Sequence, residues 1–448
     1  MPSGNLWRRI PRSTQSSVHY LIPMVWLRSL SEALVCLLVL VVCSTAQDYR
    51  SSQSNQQRLT TTQPPPRPTQ SLQSIFDTEA NLASFYNGVE KFSLEMLTRL
   101  AKSEANVAFS PLTTWVLLAL MSEGSVGTTL QELRSTMSLP EDTATLHHGF
   151  GQIRGDIRRA VDGNTSTLEL GAAAFTSPYQ SLNPEFEHIA ESYYNMTLEK
   201  VNFRNQTAAA KKINSWVSDI THGHIPTIVQ PADLRDAELV LASALFFRGT
   251  WKDAFNVSQT RTEAFFDDED NKLADVDMMY NVGKFRLSYI ESLNCLALEL
   301  PYTSEKNSML LLLPRRLTTM AQMLQKLENA TQPIISSIMH KLRADANVEE
   351  DIHVYLPRFA LSSQLKLTNL LKKLTGLSSL NLYVSDLIHK ASVTVTEEGT
   401  VAAAASAAPL HNYNLPSTFK ANKPFLFMII QKSTNTILFA GKVGNPGA

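Results

Sequence analysis

Cysteine is nearly missing from this chain: three occur in 448 residues, and Cys36 and Cys43 both lie in one apolar run near the N-terminus. Cys295 then stands alone downstream, which excludes an intramolecular disulfide. A secreted fold without disulfides has to be held by a large core, and the chain is long enough to bury one. Long apolar runs are equally scarce. The stretch Ala33 to Cys43 is too short for an ordinary membrane span, and no later stretch approaches the roughly 20 residues a span requires. Charge of one sign is missing too: the formal net charge is -1, which gives no reason to expect nucleic acid or another polyelectrolyte as partner. Catalytic signatures are absent in the same way. The chain has no Gly-x-Ser-x-Gly elbow, no His-Glu-x-x-His pair, no Walker phosphate loop and no Cys-x-x-Cys, so no hydrolase nucleophile or cofactor cradle stands in a recognisable context.

What is present begins with an address. Arg28 precedes the apolar run and Ser44-Thr45-Ala46 follows it, the pattern of a secretory signal peptide with the mature chain starting near Gln47. Residues 1–46 are expected to be that signal, with a long leading region for which Met24 offers a more ordinary start. A type II membrane anchor is the alternative. Five N-x-Ser/Thr acceptors, at Asn164, Asn195, Asn205, Asn256 and Asn329, fit passage through a glycosylating, extracellular route. Residues 47–75 form a Ser, Gln, Thr and Pro-rich tail centred on Pro64-Pro65-Pro66-Arg67-Pro68, with too few apolar residues to bury a core, and are expected to be disordered. From 76 to 448 there is no fixed-period repeat and no second linker, which predicts one large domain.

Within that span Leu82, Phe85, Val89, Phe92 and Met96 recur at spacings of three and four and predict a helix with one apolar face. Strands are expected at Leu239 to Phe247, Leu296 to Leu300, Ser308 to Leu313, Ile352 to Leu356, Phe425 to Ile430 and Thr436 to Phe439, several apolar on both faces as buried strands are. The class is mixed α+β. His222-Gly223-His224 and His147-His148 lack further clustered ligands, so no metal site is expected. Arg154, Arg158 and Arg159 share a predicted helix and form a candidate face for a sulfated glycan, although Asp156 interrupts the group and a solvated charged face is the plainer reading.

The most informative segment is Glu397 to Ala408, Glu-Glu-Gly-Thr-Val-Ala-Ala-Ala-Ala-Ser-Ala-Ala. Val393 and Val395, alternating with Thr394 and Thr396, lead into it as a strand, whereas Ala is the best helix former and a poor strand former. Such contradictory instructions suit a switch: Gly399 permits a pivot, and small side chains enter a packed sheet at little cost in volume or entropy. An exposed alanine-rich turn or linker is the other reading.

Phe419-Lys420-Ala421-Asn422-Lys423-Pro424-Phe425-Leu426-Phe427-Met428-Ile429 resembles the C-terminal signature of the serpins, and Leu438-Phe439-Ala440-Gly441-Lys442-Val443 with Asn445-Pro446 resembles their last strand. Other landmarks of that family follow in order: Phe109-Ser110-Pro111, Ile213-Asn214-Ser215-Trp216-Val217, Phe246-Phe247-Arg248-Gly249-Thr250-Trp251, Met278-Met279, Glu299-Leu300-Pro301-Tyr302 and Leu356-Pro357-Arg358-Phe359. Glu397, Glu398, Gly399, Thr400, Val401, Ala402, Ala403, Ala404, Ala405 and Ser406 match the hinge of the inhibitory members. The resemblance implies an α+β fold of three β-sheets and about eight or nine helices, with an exposed reactive-centre loop. It implies a secreted, monomeric suicide inhibitor rather than an enzyme, trapping a target serine protease in a covalent complex without cofactor or membrane. Loop insertion of this kind is a standard example of strand addition and of released strain.

Counting along the matched loop places the scissile bond between Tyr413 and Asn414, which suits a chymotrypsin-like protease. Leu410 and Leu415 are alternative bait residues, which would direct an elastase-like or another chymotrypsin-like enzyme to a shifted bond, and no Arg or Lys lies between Gly399 and Phe419 to favour a trypsin-like one. The resemblance also implies a shutter of Ser110, Thr113, Ser243 and His389, a breach near Trp251, and a salt bridge between Glu397 and Arg358. Three departures stand out. Thr113 replaces a usual Ser; Ser243 stands where an Asn commonly bonds the shutter histidine, so that bond has to be rebuilt, with water a candidate bridge; and the connection from Gly376 to Ile388 lacks part of the usual helix and loop. Pro409, without an N–H, predicts stalled insertion or an imperfect ladder. The rival reading is a non-inhibitory carrier, chaperone or storage protein, or one that behaves as a substrate.

Overall fold

The computed structural model describes residues 72–160, 166–179, 182–330, 333–346, 350–367, 386–399 and 417–447, all within one compact unit spanning Gln70–Ala448. The expected signal at residues 1–46, residues 47–71, the Gly376 to Ile388 connection up to residue 385, Asn164, the expected hinge from Thr400 to Ser406, Pro409, Tyr413 and Asn414 lie outside the described residues.

Eight α-helices occur among them: α1 (Leu72–Ser103), α2 (Pro111–Glu123), α3 (Gly127–Met137), α4 (Thr143–Ala160), α5 (Pro184–Ser192), α6 (Gln206–Ile220), α7 (Met320–Glu328) and α8 (Ile334–Ala344). The expected helix over Leu82 to Met96 is the middle of α1, where Phe85, Val89, Phe92 and Met96 are buried. It also starts earlier than the order expected from Phe76, at Leu72. Helix α2 is apolar on all sides and buried nearly throughout. Its start combines Ser110 as N-cap, accepting from the Thr113 N–H, with Pro111 in the first turn.

Three sheets complete the fold. One has six strands, β1 (Val107–Phe109), β15 (Thr436–Val443), β14 (Phe425–Gln431), β9 (Asn307–Pro314), β8 (Cys295–Pro301) and β7 (Arg286–Ile290), in that spatial order. A second has four, β13 (Thr418–Lys420), β10 (Ile352–Pro357), β6 (Lys272–Gly283) and β5 (Arg261–Phe266). The third has five, β11 (Phe359–Lys366), β12 (Asp386–Val395), β4 (Leu239–Gly249), β2 (Ser166–Thr176) and β3 (Thr197–Lys200). All six expected strands are present, each longer than its apolar run, and at Asn307, Gln431 and Arg248 polar residues continue the ladders. Asn106 ties the segment after α1 to the C-terminal residues, donating to the Asn445 carbonyl at 2.7 Å and accepting from the N–H groups of Gly444 and Asn445.

The five-stranded sheet separates two apolar layers. Leu241, Leu245 and Phe247 of β4 and Leu387, Ala391 and Val393 of β12 face the main core, while Val240, Ala242, Ala244 and Ile388 pack beneath Ile213, Trp216 and Val217 of α6. This is the two-residue alternation of a strand buried on both faces.

Candidate functional site

The centre of the five-stranded sheet holds a weak seam. Neighbouring ladders β11·β12 and β4·β2 run antiparallel, but β12 and β4 run parallel, from Asp386 with Val240 to Ser392 with Phe246. Parallel pairing is slightly less stable per residue, and this ladder stops before the strands do: Val393 to Val395 pair only with β11 among the described residues.

Beyond Val395 the chain turns back on itself. The Thr396 N–H donates to the Gly399 carbonyl at 2.8 Å and the Gly399 N–H returns to the Thr396 carbonyl at 3.2 Å. Gly399 also bridges antiparallel to Thr250, just past the end of β4. One residue therefore spans the gap between the two strands. Only glycine fits there: φ is 142°, and a Cβ would sit 2.1 Å from the Gly249 carbonyl oxygen. Trp251 fastens the turn from the β4 side. Its indole N–H donates to the Thr396 carbonyl and its backbone N–H to the Glu398 carbonyl, both at 3.0 Å, while its ring stacks on Tyr302.

Glu397 and Arg358 do meet, as expected, but not as an exposed pair. The carboxylate is 4 % exposed and the guanidinium 39 %; Arg358 grips it through both Nε, at 3.2 Å, and Nη2, at 2.5 Å. Thr260 adds a donor at 2.6 Å, and Asp277 holds the far side of Arg358 at 3.3 Å. Burial pushes the Glu397 carboxyl up, but the hydrogen bonds from Arg358 and Thr260 outweigh it and hold it below the usual carboxylate range. Its contribution is thus present above the ordinary carboxylate pKa and is lost as pH falls through the lowered folded value. Glu397→Gln is expected to cost about 1 kcal/mol, most of the Coulombic gain being screened at the half-exposed arginine, and to lower the urea midpoint more at pH 7 than at pH 3, where part of that contribution is already lost. An equal shift at both pH values would remove the charge from the explanation. Sequence reasoning missed Thr260 and Asp277, because nothing in their local pattern points to partners 137 and 81 positions away.

Beneath the seam the four expected shutter residues converge, all with no exposed surface. The Ser110 N–H donates to His389 Nε2 at 2.9 Å, so that nitrogen carries no proton and Nδ1–H is left to donate to Ser243 Oγ, also at 2.9 Å. The water bridge expected at Ser243 is not needed, because Ser243 and His389 sit opposite each other on the ladder and a short hydroxyl reaches directly. Thr113 Oγ1 stands further off, 3.5 Å from Nδ1, and donates to the Ser110 carbonyl instead. Ser110 Oγ donates to the Leu438 carbonyl, tying the shutter to the six-stranded sheet. Burial pushes the His389 pKa down to about 3.

The remaining sequence candidates do not assemble a second centre. Asn195, Asn205 and Asn329 are exposed and Asn256 half-buried; Asn205 and Asn256 cap α6 and a short 3-10 turn through Oδ1. His222 lies near Glu169 while His224 stacks on Phe246, and His147 bonds Glu123 while His148 bonds Gln152. Among the described residues there is no cluster of three metal-ligating side chains, and no helix long and apolar enough to cross a membrane. Cys295 is buried, with its thiol pKa pushed up to about 12. Arg159 is paired with Asp156.

Comparison with known proteins agrees with this architecture. The family model described as Serpin (serine protease inhibitor) matches residues 87–446. Leukocyte elastase inhibitor of Xenopus laevis is 32% identical over 361 residues, covering 77% of this chain and 94% of that protein. Serpin B11 of Homo sapiens is 30% identical over 375 residues, covering 76% and 93%. The crystal structure of Manduca sexta serpin-12 superimposes with a TM-score of 0.69 at 24% identity, covering 82% of this chain and 99% of that one. With three sheets, a parallel seam closed by a glycine turn, and a sequence match over most of its length, this chain belongs to the serpin family.

Proposed function

We propose that the chain is a secreted, monomeric inhibitor of a chymotrypsin-like serine protease that works as a suicide substrate. The protease's serine hydroxyl attacks the Tyr413 carbonyl carbon, the Tyr413–Asn414 amide breaks, and the Asn414 amine leaves protonated. The loop, now freed at Tyr413, then enters the seam as an added strand and carries the acylated protease with it, before water can hydrolyse the ester.

The observation that supports this reading is a match of register. Gly399 bridges Thr396 and Thr250, which are 146 positions apart, and His389 and Ser243 in the seam are also 146 positions apart. A strand continuing from Gly399 can therefore pair with β12 and β4 at once, without a slip. Running opposite to both, it would replace one parallel ladder by two antiparallel ones, a gain in hydrogen bonds and in ladder type. Thr400 would fall beside Val395, Ala402 beside Val393 and Phe247, Ala404 beside Ala391 and Leu245, and Ser406 beside His389 and Ser243, all neighbours that face the main core. From Gly399 to Tyr413 the chain at roughly 3.3 Å per residue spans about 50 Å, enough to cross the domain.

The same register relocates the difficulty at Pro409. It would meet Asp386 and Val240, the last rung of the seam among the described residues and one residue from the start of β4 at Leu239, after nine residues from Thr400 to Ala408 had already zipped. A proline at a strand end forfeits one bond rather than blocking the ladder. Pro409→Ala is expected to change the number of inhibitor molecules consumed per protease by less than about twofold, measured by titration against chymotrypsin; tenfold improvement would show that insertion does stall there.

The reading is tested by incubating the secreted protein with chymotrypsin, elastase and trypsin. An SDS-stable complex with chymotrypsin and a released peptide beginning at Asn414 are the expected results. Cleavage without a stable complex across the panel would make the protein a substrate or a non-inhibitory serpin, and a peptide with another first residue would move the bait.

A further inference from the structure

Beside the five-stranded sheet a cavity of about 320 Å³ opens between α4 and β2. Leu112 of α2 with Leu168 and Ala172 of β2 line it on one side, and Phe150, Ile153 and Ile157 of α4 on the other, so most of its wall is apolar. Its polar lining is Glu169, Tyr194 and Asn195 together with two cations, half-buried Arg154 and exposed Arg158, which stand one helical turn apart on the same face of α4. The third arginine of that helix, Arg159, is neutralised by Asp156. Neither Arg154 nor Arg158 stands within ion-pair distance of a carboxylate among the described residues, and Glu169, which also lines the cavity, lies 3.5 Å from His222. Like charges at this helical spacing repel each other, and an anion seated between them would reverse the sign of that interaction.

We propose that this cavity binds an amphipathic carboxylate of medium chain length, its tail against Phe150, Ile153 and Leu168 and its head between Arg154 and Arg158. A cavity of about 320 Å³ stands at the small end of the range of small-molecule sites, which suits an alkyl tail of medium rather than long chain. An apolar wall with a few convergent polar groups is the usual composition of a small-molecule site. A sulfated glycan is the poorer match: it has no apolar body to fill the cavity, and one of the three arginines it would use is already engaged.

Calorimetric titration of the full-length secreted protein with decanoate tests the site without reference to any protease. One molecule per chain is expected, with decan-1-ol, which lacks the charge, binding at least tenfold more weakly. Arg154→Gln with Arg158→Gln, at positions that carry little of the core, should weaken decanoate at least tenfold. Ile157→Trp, which fills the cavity, should abolish binding while far-ultraviolet circular dichroism stays unchanged. No binding to the unmodified protein at millimolar decanoate would overturn the proposal. So would equal affinity in the double glutamine variant, or a heparin-derived oligosaccharide being the ligand those substitutions remove while Ile157→Trp spares it.

Discussion

Thr400→Arg is expected to abolish the SDS-stable protease complex while the loop is still cut, turning an inhibitor into a substrate. In the register set by Gly399, residue 400 would be the first to enter the seam, on the face that carries Val395, a fully buried core residue. An unpaired guanidinium there costs several kcal/mol of desolvation. Even if reaching toward the sheet end recovers part of this, a barrier raised by about 3 kcal/mol slows insertion roughly 100-fold, whereas hydrolysis of the acyl-enzyme is untouched. The readout is the ratio of cleaved protein to complex on a denaturing gel. Val401→Arg supplies the contrast, because its place in the same register is beside exposed Arg248 and half-buried Thr394, and it should retain a substantial fraction of complex. Full inhibition by Thr400→Arg, or identical behaviour of the two variants, would sink the register argument.

The second large effect is at the shutter. His389→Ala removes the acceptor of the buried Ser110 N–H and the partner of Ser243, and leaves a hole beneath the seam; the combined cost is about 3 kcal/mol or more. The urea midpoint of the native form should fall accordingly, and an unchanged midpoint would show that the network does not hold the sheet closed. The same histidine makes the closed sheet acid-sensitive. Its folded pKa of about 3 lies below the unfolded value near 6.5, so the fold binds fewer protons there than the unfolded chain. Its stabilising contribution is complete above pH 6.5 and is lost progressively as pH falls toward 3. His389→Gln, which keeps hydrogen-bonding capacity but does not titrate, should lose less stability than the parent between pH 6.5 and 4, measured as the thermal midpoint across that range.

Much of the fold was legible in the sequence because its signals are local. Phe85, Val89 and Phe92 announce a buried helix face by spacing alone, and the two-sided apolar runs at β4, β9 and β14 announce buried strands. The candidate site was legible only in part. Gly399 was visible as a pivot and Glu397 as a charged partner of Arg358, but the reach of Thr260 and Asp277 into that pair was not, nor the direct bond from Ser243 to His389.

By itself the sequence determined one helix with an apolar face and six buried strands, that no disulfide is available to carry the stability, and that a run of small residues follows Gly399. Tertiary structure alone decided three further things: that β12 and β4 run parallel, that the chain reverses at Thr396 to Gly399 into the gap above them, and that both sides of the gap share one register. The physical reason is range. Propensity, capping and periodicity act over a few residues, whereas strand direction and register are settled by ladders joining residues 146 positions apart, and no local pattern carries that information.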